Sequence, residues 1–431
     1  MRVLIDYRPA LREPSGVGEY THQLVAALLA AYPPDVPGSE LALSLFSSSW
    51  KDRLAPAAEL AGAAIIDRRI PVRLLNLSWH RLGWPPAESL AGGPFDVTHS
   101  SHPLLLPSPI AAQVVTIHDL NFLSHPERTR AEIRRDYPAL AREHATRADA
   151  ILVSSAFTAG EVERELGVTR DRIAVCPPGA PGWTPRATTP KDGYVLFFGT
   201  LEPRKNVGGL LDAYELLISG TDGTAKAVPY DPPYDRTNVG HAFRTGNDTT
   251  HARHGGAVPD GATDVVRSFR GAAPLGVPEL VLAGRATHEA RPWLERLERP
   301  PLKGVVRYAG YVDRAQRQAL YQGARLLVQP SFEEGFGMAV LEAMSLGVPV
   351  VAANRGSLPE VLGDAGTLVD PERPNDIANA IARLLADDAY AATCASRGLA
   401  RARTFSWAQT AHRVYEMYRQ AIERRRTARR S

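Results

Sequence analysis

Two glutamates separated by seven residues are the first feature of this sequence that could do chemistry. Glu334 lies in a loop with Gly335 and Gly337, after an apolar run that ends at residue 329, and Glu342 lies in the helix expected next. Glycines let such a loop approach a phosphate, and the helix N-terminus favours its negative charge. Carboxylates beside an anion are unfavourable unless they accept hydrogen bonds from hydroxyls, which sugars and ribose carry. The pattern therefore indicates a site for a sugar phosphate, and a glycine-rich turn with two solvated glutamates is the alternative.

An adjacent arginine and lysine form a second candidate site. Arg204 and Lys205 follow Gly199 and the apolar run 194–198, and Glu202 is near enough in sequence to hold Arg204 in place. Arginine offers a fork of donors and lysine a point charge, so together they suit a diphosphate. Surface Arg-Lys pairs are also common, so this pair alone leaves both interpretations open.

Two further positions lie at the ends of predicted strands in the first half of the chain. Gly16 and Gly18 follow the first apolar run, and they would let the backbone approach the other half of a substrate. His118 ends the apolar run 114–118. It is either a core residue or a contact to the transferring sugar or phosphate across a cleft.

Short apolar runs that alternate with amphipathic stretches predict parallel sheets built from βα units. In the first half we predict strands near residues 3–6, 42–46, 96–100, 114–118, 150–154 and 173–176, and helices near 18–29 and 157–166. In the second half we predict strands near 194–198, 279–283, 305–308, 326–329 and 348–352, and helices near 207–218, 314–323, 339–346 and 374–386. Since ligands bind at the carboxyl ends of parallel strands, the candidate residues are expected to meet.

A segment rich in proline and glycine, residues 177–185, cannot continue a helix or strand and marks an interdomain linker. We therefore predict an α/β protein with two Rossmann-like βαβ domains that face each other across a cleft, over residues 1–185 and 186–406. Between 219 and 278 the apolar periodicity dissolves, which we interpret as a mobile surface insertion. A C-terminal amphipathic helix, 407–422, is expected to pack back on the first domain.

Bulk composition argues against several classes of protein. A net charge of +3 gives no support to nucleic-acid binding. Cys176 and Cys394 have no CxxC or Cys/His companions, so neither a disulfide framework nor a zinc site is expected. Asp6 and Asp119 are isolated and poorly spaced as metal ligands, so we expect no metal. We find no signal peptide and no apolar stretch of about 18 residues, and we therefore expect a cytoplasmic protein.

Together these motifs resemble the retaining glycosyltransferases of family 4, which have the GT-B fold. Residues 332–342 resemble the E-x7-E signature of that family. The resemblance extends to residues 198–206, to the loop with Gly16 and Gly18, and to residues 347–350. It covers nearly the whole chain except the insertion, and the combination is specific although each piece alone is not.

The resemblance implies a role for each candidate residue. Arg204 and Lys205 would bind the diphosphate of the donor, and Glu342 would contact the nucleotide ribose. Glu334 and His118 would lie near the donor sugar and act in catalysis. The remaining donor-binding positions would be Gly16, Gly18, Gly199, Gly335, Phe336 and Gly337.

The implied reaction moves a hexose from a nucleotide diphosphate-sugar to a glycan or lipid-linked acceptor, with retention of configuration. Arg204, Lys205 and helix amides would stabilise the departing diphosphate, which would help to deprotonate the acceptor. Residues 354–360 resemble mannosyltransferases, which favours GDP-mannose over UDP-sugars as donor. No cofactor and no metal would be needed.

Clusters of arginine predict peripheral contact with the anionic inner face of a membrane. They lie at Arg68, Arg69 and Arg73, around 128–135 and in the segment 424–430. Solvated helix faces and a frayed basic tail are the alternative.

Rival functions are distinguished by specific features. A nucleotide-sugar epimerase could share the architecture and the diphosphate site but would need no acceptor. A dehydrogenase is disfavoured because no GxGxxG motif follows a strand with an acidic residue about 20 positions later. A non-catalytic nucleotide-sugar-binding protein is disfavoured because both glutamates accompany the basic pair.

Overall fold

The computed structural model describes residues 1–11, 16–33, 41–50, 52–54, 57–124, 131–220 and 276–430, with side chains for all of these except 131–136. The predicted insertion at 219–278 therefore lies outside the described residues except at its ends. At one end a helix that begins at Val207 runs to Gly220, and at the other the described chain resumes at Gly276. Residues 128–130 of the basic stretch also lie outside the described residues.

The first domain is a parallel sheet covered by helices. Among the described residues its strands are β1 (Arg2–Asp6), β2 (Ala42–Ser48), β3 (Ala64–Arg68), β4 (Val97–Ser100), β5 (Ala112–Ile117), β6 (Ala150–Val153) and β7 (Ile173–Val175). Its helices are α1 (Val17–Ala31), α2 (Val72–Leu77), α3 (Ala87–Ala91), α4 (Asn121–Ser124), α5 (Ala131–Arg147) and α6 (Ala156–Leu166), with a π-helical turn at Ser78–Leu82 and short 3-10 turns at Arg8–Ala10, Ala58–Leu60 and Arg170–Arg172. The sheet order β3-β2-β1-β4-β5-β6-β7 opens a crevice beside β1 and β4, where the direction of winding changes.

The second domain repeats this architecture. Its described strands are β8 (Tyr194–Phe198), β9 (Leu280–Ala283), β10 (Val306–Gly310), β11 (Ala324–Gln329), β12 (Val350–Ala353) and β13 (Thr367–Val369), in the order β10-β9-β8-β11-β12-β13. Its helices are α7 (Val207–Gly220), α8 (Arg291–Leu297), α9 (Arg314–Gly323), α10 (Met338–Ser345), α11 (Leu358–Leu362), α12 (Pro374–Ala386) and α13 (Asp388–Ala402), with 3-10 turns at Pro203–Lys205 and His288–Ala290. The winding changes beside β8 and β11. The predicted class, two doubly wound parallel α/β domains, is confirmed.

Apolar runs and local capping explain why these elements form. All six residues of β5 are buried, as expected for a parallel strand covered by helices on both faces. The Ser155 side chain caps α6 by accepting a hydrogen bond from the backbone N–H of Thr158 at 3.1 Å. The same helix ends at Gly167, whose φ of 65° suits glycine. Strand and helix ends therefore follow signals that are local in the sequence.

The last helix, α14 (Trp407–Arg430), packs on the first domain rather than on the second. Val414 and Tyr418 are fully buried in a core cluster that includes Leu24 and Leu28 of α1. The hydroxyl of Tyr418 lies 2.6 Å from Nδ1 of His99 at the end of β4. The chain thus crosses between the domains twice, once after β7 and again just before α14.

The helix predicted to end at residue 422 continues to Arg430, so the predicted end is wrong and the alternative of a frayed basic tail does not apply. Its arginines hydrogen-bond to carbonyl oxygens of the first domain. Arg424 donates to the carbonyl of Asp149 at 3.3 Å, and Arg425 donates to that of Ser108 at 3.4 Å. These contacts hold the last turns of the helix against the domain, which a solvated tail would not allow.

Candidate active site

A cavity of about 320 Å³ lies between the two domains, at the carboxyl ends of the strands of both sheets. Ten of the positions singled out from the sequence line it: Gly16, His118, Gly199, Arg204, Lys205, Glu334, Gly335, Phe336, Gly337 and Glu342. Residues of the two domains that are distant in sequence therefore meet in one place. This is the site where doubly wound sheets bind their ligands.

Gly18 is the predicted position that does not line this cavity. A Cβ atom at residue 18 would lie 2.6 Å from the backbone oxygen of Pro9. A glycine is therefore required there because α1 passes close to the turn that follows β1. This packing explains the glycine, and its predicted place beside the ligand stays a prediction.

Glu334 is the centre of a buried ionic cluster. Its Oε1 accepts hydrogen bonds from Nζ of Lys205, from Oγ of Ser331 at 2.8 Å and from Nε2 of Gln329 at 3.0 Å. Its Oε2 lies 3.6 Å from Nη1 of Arg204. Burial alone would raise the pKa of Glu334, but the charges of Lys205 and Arg204 outweigh it and lower the pKa to about 2. The carboxylate is therefore ionised at neutral pH.

The basic pair is positioned by the 3-10 turn that follows β8. The turn ends at Asn206, whose φ is 55° and whose side chain donates to the carbonyl of Pro371 at 2.6 Å. As the sequence suggested, Nε of Arg204 is paired with Glu202, at 2.7 Å. Burial, followed by the charge of Arg204, lowers the pKa of Lys205. Each cation of the cluster therefore has an anionic partner that a diphosphate would have to compete with.

Glu342 lies in α10 on the same wall of the cavity. Its side chain is buried, and Nη2 of Arg317 in α9 lies 3.3 Å from its Oε1. Burial raises the pKa of Glu342, and the charge of Arg317 opposes that rise. Arg317 and its neighbour Arg314 were missed at the sequence level, although they follow β10 at the first turn of a helix, the position at which Arg204 and Lys205 were found.

His118 faces the cavity from the first domain. Its ring makes an edge contact with Tyr20, at a centroid distance of 4.8 Å. Burial lowers the pKa of His118 to about 4, so the ring is neutral at neutral pH. Its Nε2 is buried and has no hydrogen-bond partner among the described residues. The residue is thus more than a satisfied core histidine, because it lines the cavity and one of its buried ring nitrogens lacks a hydrogen-bond partner among the described residues.

The loop that carries Glu334 is docked on the first domain. The carbonyl oxygen of Gly335 accepts hydrogen bonds from the hydroxyls of Ser155 at 2.8 Å, Ser154 at 3.0 Å and Thr158 at 3.2 Å. A Cβ atom at Gly335 would lie 1.8 Å from the backbone oxygen of His118. The two domains are therefore closed on each other through the loop of the candidate site.

Two carboxylates of the second domain complete this closed contact. Nδ2 of Asn121 donates to Oε2 of Glu333 at 2.7 Å. The carboxylate of Glu360 accepts from the backbone N–H groups of Ala156 and Phe157, at 2.9 and 3.2 Å. Because these N–H groups open α6, the second domain caps a helix of the first.

The described residues contain no group of three or more His, Cys, Asp or Glu side chains that could hold a metal ion. Asp6, one of the two isolated candidates, is paired with Arg8 and lies 3.3 Å from His102. The absence of a metal requirement remains a prediction. Among the described helices, none has both the length and the apolar character needed to cross a membrane.

Known proteins are similar to this chain in both sequence and fold. The family model described as "Glycosyltransferase Family 4" matches residues 14–181, and the one described as "Glycosyl transferases group 1" matches residues 259–387. The O-antigen chain mannosyltransferase B of Escherichia coli is 29% identical over 97% of this chain and 100% of its own length.

Two solved structures share the fold at low sequence identity. Sucrose-phosphate synthase from Thermosynechococcus elongatus has a TM-score of 0.67 at 20% identity, over 97% of this chain and 98% of that chain. Anabaena Alr3699/HepE in complex with UDP-glucose has a TM-score of 0.60 at 18% identity, over 96% of this chain and 98% of that chain.

Two doubly wound domains enclose a cleft at the carboxyl ends of their strands, and the chain is similar in sequence to known glycosyltransferases. Together these features define a glycosyltransferase of the GT-B fold. The chain belongs to glycosyltransferase family 4. The alternatives of an epimerase, a dehydrogenase and a binding protein without activity are therefore set aside.

Proposed function

We propose that this enzyme transfers mannose from GDP-mannose to a glycan or lipid-linked acceptor, with retention of configuration. The main observation that supports this proposal is that one cavity is lined by Arg204, Lys205, Glu334 and Glu342. Cations suit the diphosphate, and buried carboxylates suit hydroxyls of the ribose and the sugar. Mannose is favoured because the relative from Escherichia coli that spans nearly the whole chain is named a mannosyltransferase.

The charges of the site suggest how the donor is held. Arg204 and Lys205 are neutralised by Glu202 and Glu334 in the structure. A diphosphate that pairs with Lys205 would release Oε1 of Glu334 from that cation. Ser331 and Gln329 would still donate to the carboxylate and Arg204 would still lie near its other oxygen, so the group could accept hydrogen bonds from sugar hydroxyls.

The reaction that we propose breaks the bond between the anomeric carbon and the diphosphate oxygen, and forms a bond from that carbon to an acceptor oxygen on the same face. The proton of the acceptor hydroxyl passes to the leaving diphosphate. Arg204 and Lys205 stabilise the charge that develops on the diphosphate, and the fixed cluster needs little reorganisation. His118 is neutral, so its free Nε2 is suited to a hydrogen bond with the donor sugar rather than to ion pairing.

The donor is tested by measuring release of nucleoside diphosphate from a panel of GDP- and UDP-sugars. We expect slow release from GDP-mannose and none with Lys205→Ala, because hydrolysis requires the same cationic site as transfer. Retention is then read from the anomeric configuration of the product. Preferential release from a UDP-sugar would contradict the choice of donor. No release, together with no thermal stabilisation by any donor, would contradict the site itself.

Peripheral membrane contact is part of the proposal, and an exposed apolar surface supports it. The segment α2 with the π-helical turn is anchored by Leu75 and Trp79, which are buried in a core cluster. Its other side exposes large apolar side chains, namely Leu74 (61%), Leu77 (59%), Leu82 (73%) and Trp84 (66%). Residues 68–87 contain four arginines and no Asp or Glu. A basic surface with exposed Leu and Trp is complementary to an anionic bilayer.

We expect the protein to co-sediment with vesicles that contain an anionic lipid, and less well at high salt, because both charge and apolar burial contribute. Leu77→Glu should abolish binding, since it places a carboxylate at the centre of this surface. Leu216→Glu, which changes an exposed leucine of α7 in the second domain, is the matched control and should bind normally. Equal binding by both variants, or no binding by the unmodified protein, would rule out this surface as a membrane contact.

A further inference from the structure

Three buried charged side chains link the two domains beside the candidate ribose position. Nη2 of Arg317 lies 3.3 Å from Oε1 of Glu342 and 3.9 Å from Oε1 of Glu19, which belongs to α1 of the first domain. The exposed fractions of the three side chains are 13%, 3% and 7%. One guanidinium nitrogen is therefore shared between a carboxylate of the nucleotide half of the cleft and a carboxylate of the opposite domain.

Glu19 has further contacts that fix its position. Nε2 of Gln23 donates to its Oε1 at 2.9 Å, and Nη2 of Arg314 lies 3.9 Å from the same oxygen. Gly16 and Val17 line the cavity immediately before Glu19 in the chain. The position of Glu19 relative to α9 therefore determines how closely this glycine loop approaches the second domain.

Three atoms of this link have unused hydrogen-bonding capacity. Oε2 of Glu19, Nε of Arg317 and Oε2 of Glu342 are buried and have no hydrogen-bond partner among the described residues. Buried polar groups are almost always paired, and a carboxylate left without its cation is strongly unfavourable. The link therefore has hydrogen-bonding capacity that its contacts within the described residues do not use.

We propose that Arg317 is a positioning residue. Through Glu19, it couples the nucleotide subsite at Glu342 to the position of the loop that contains Gly16. This inference rests on the proposed function, in which Glu342 contacts the ribose. Arg317 opposes the rise that burial causes in the pKa of Glu342, and thereby favours the ionised, hydroxyl-accepting form. Arg317 also attracts Glu19 of the first domain. The two domains therefore close on each other when Arg317, and with it the nucleotide subsite at Glu342, is correctly arranged.

The test measures binding of GDP and UDP by calorimetry over a range of pH. We expect Arg317→Met to weaken binding about tenfold, a typical coupling between sites. Its affinity should fall at a higher pH than that of the unmodified enzyme as the pH is lowered. The sign follows because burial raises the pKa of Glu342 and Arg317 opposes that rise. Without Arg317 the carboxylate takes up a proton at higher pH, and one of its two oxygens then becomes a donor, so the group accepts fewer and weaker hydrogen bonds. Arg317→Lys should restore the original pH profile.

Glu19→Gln separates the two parts of the coupling. It should weaken GDP and UDP binding less than Arg317→Met does, because Arg317 keeps its contact with Glu342, but it should lower kcat/KM for transfer about tenfold, because the closed arrangement loses an attraction between the domains. Arg291→Met is the matched control, since Arg291 pairs with Glu295 on the exposed surface of α8. It should change neither quantity.

Each outcome decides the inference. A pH profile of Arg317→Met that parallels the original one would mean that Arg317 is merely structural. Equal loss of nucleotide affinity in Glu19→Gln would mean that Glu19 does not act in closure. If the unmodified enzyme binds neither nucleotide, the proposed function fails and this inference fails with it, whereas normal binding with unshifted profiles overturns the inference alone.

Discussion

Lys205→Ala is expected to lower turnover about 100-fold to 1,000-fold, the loss typical of removing one donor that stabilises developing negative charge. The substitution should also lower stability, because Glu334 would remain buried with a weaker set of partners. Breaking a buried ion pair costs about 3 kcal/mol or more. We expect the loss of stability to lie near the lower end of this range, since Nη1 of Arg204 stays 3.6 Å from the other carboxylate oxygen of Glu334. Steady-state transfer and thermal unfolding measure the two effects.

The double variant Lys205→Ala/Glu334→Ala distinguishes the catalytic loss from the loss of stability. Removing both partners leaves no unpaired carboxylate, so it should recover much of the melting temperature while activity stays low. Lys191→Ala changes an exposed lysine and is the matched control. Near-normal turnover of Lys205→Ala with an unchanged melting temperature would refute the assignment of this residue to the diphosphate.

Gly335→Ala is the second substitution with a large expected effect. The new methyl group would lie 1.8 Å from the backbone oxygen of His118 in the closed structure. The loop would have to retreat by about 1.5 Å or more to reach an ordinary contact distance. That movement would break the hydrogen bonds from Ser154, Ser155 and Thr158 to its carbonyl and displace Glu334. A misplacement of this size can lower transfer about 100-fold.

Nucleotide affinity should fall much less than transfer in Gly335→Ala, because Arg204, Lys205 and Glu342, which we propose to hold the nucleotide, belong to the second domain. Calorimetry with GDP and kinetics of transfer give the two values. Gly160→Ala is the control, since a Cβ at that position of α6 meets no atom within 4 Å. It should transfer sugar normally and melt slightly higher, because alanine is the better helix residue. Normal transfer by Gly335→Ala would show that this closed contact is not used in the reaction.

Much of the fold could be predicted from the sequence because buried strands made mostly of apolar residues, such as β5 and β8, can be recognised from their own residues. Two edge strands, β3 and β13, were missed for a physical reason. The sequence of β3 (Ala64–Arg68) is half-exposed and includes Asp67, while β13 (Thr367–Val369) has only three residues. The helix α13 (Asp388–Ala402) was missed as well. Edge elements depend on their neighbours more than on their own pattern.

The candidate site, like the fold, could be predicted from the sequence only in part. Loops at strand ends were found from local signals, since glycines and charges follow apolar runs at Gly199 and Gly335. The pairing of Lys205 with Glu334 joins residues 129 positions apart, and a single sequence does not reveal which charges meet. The same holds for Arg317, whose partner Glu19 belongs to the other domain. The capping of α6 by Ser155 is local in the sequence, whereas the hydrogen bond of Ser155 to Gly335 across the cleft required the structure.

The return of α14 to the first domain has a consequence for synthesis on the ribosome. Domains usually fold in the order in which they are translated. Here Val414 and Tyr418 complete a core whose other members, including Leu24 of α1, are made near the beginning of translation. The second domain, by contrast, has all its strands before residue 370 is passed. The nascent first domain therefore remains incomplete, with one side of its core uncovered, until the second domain has been synthesised and the last helix emerges from the ribosome.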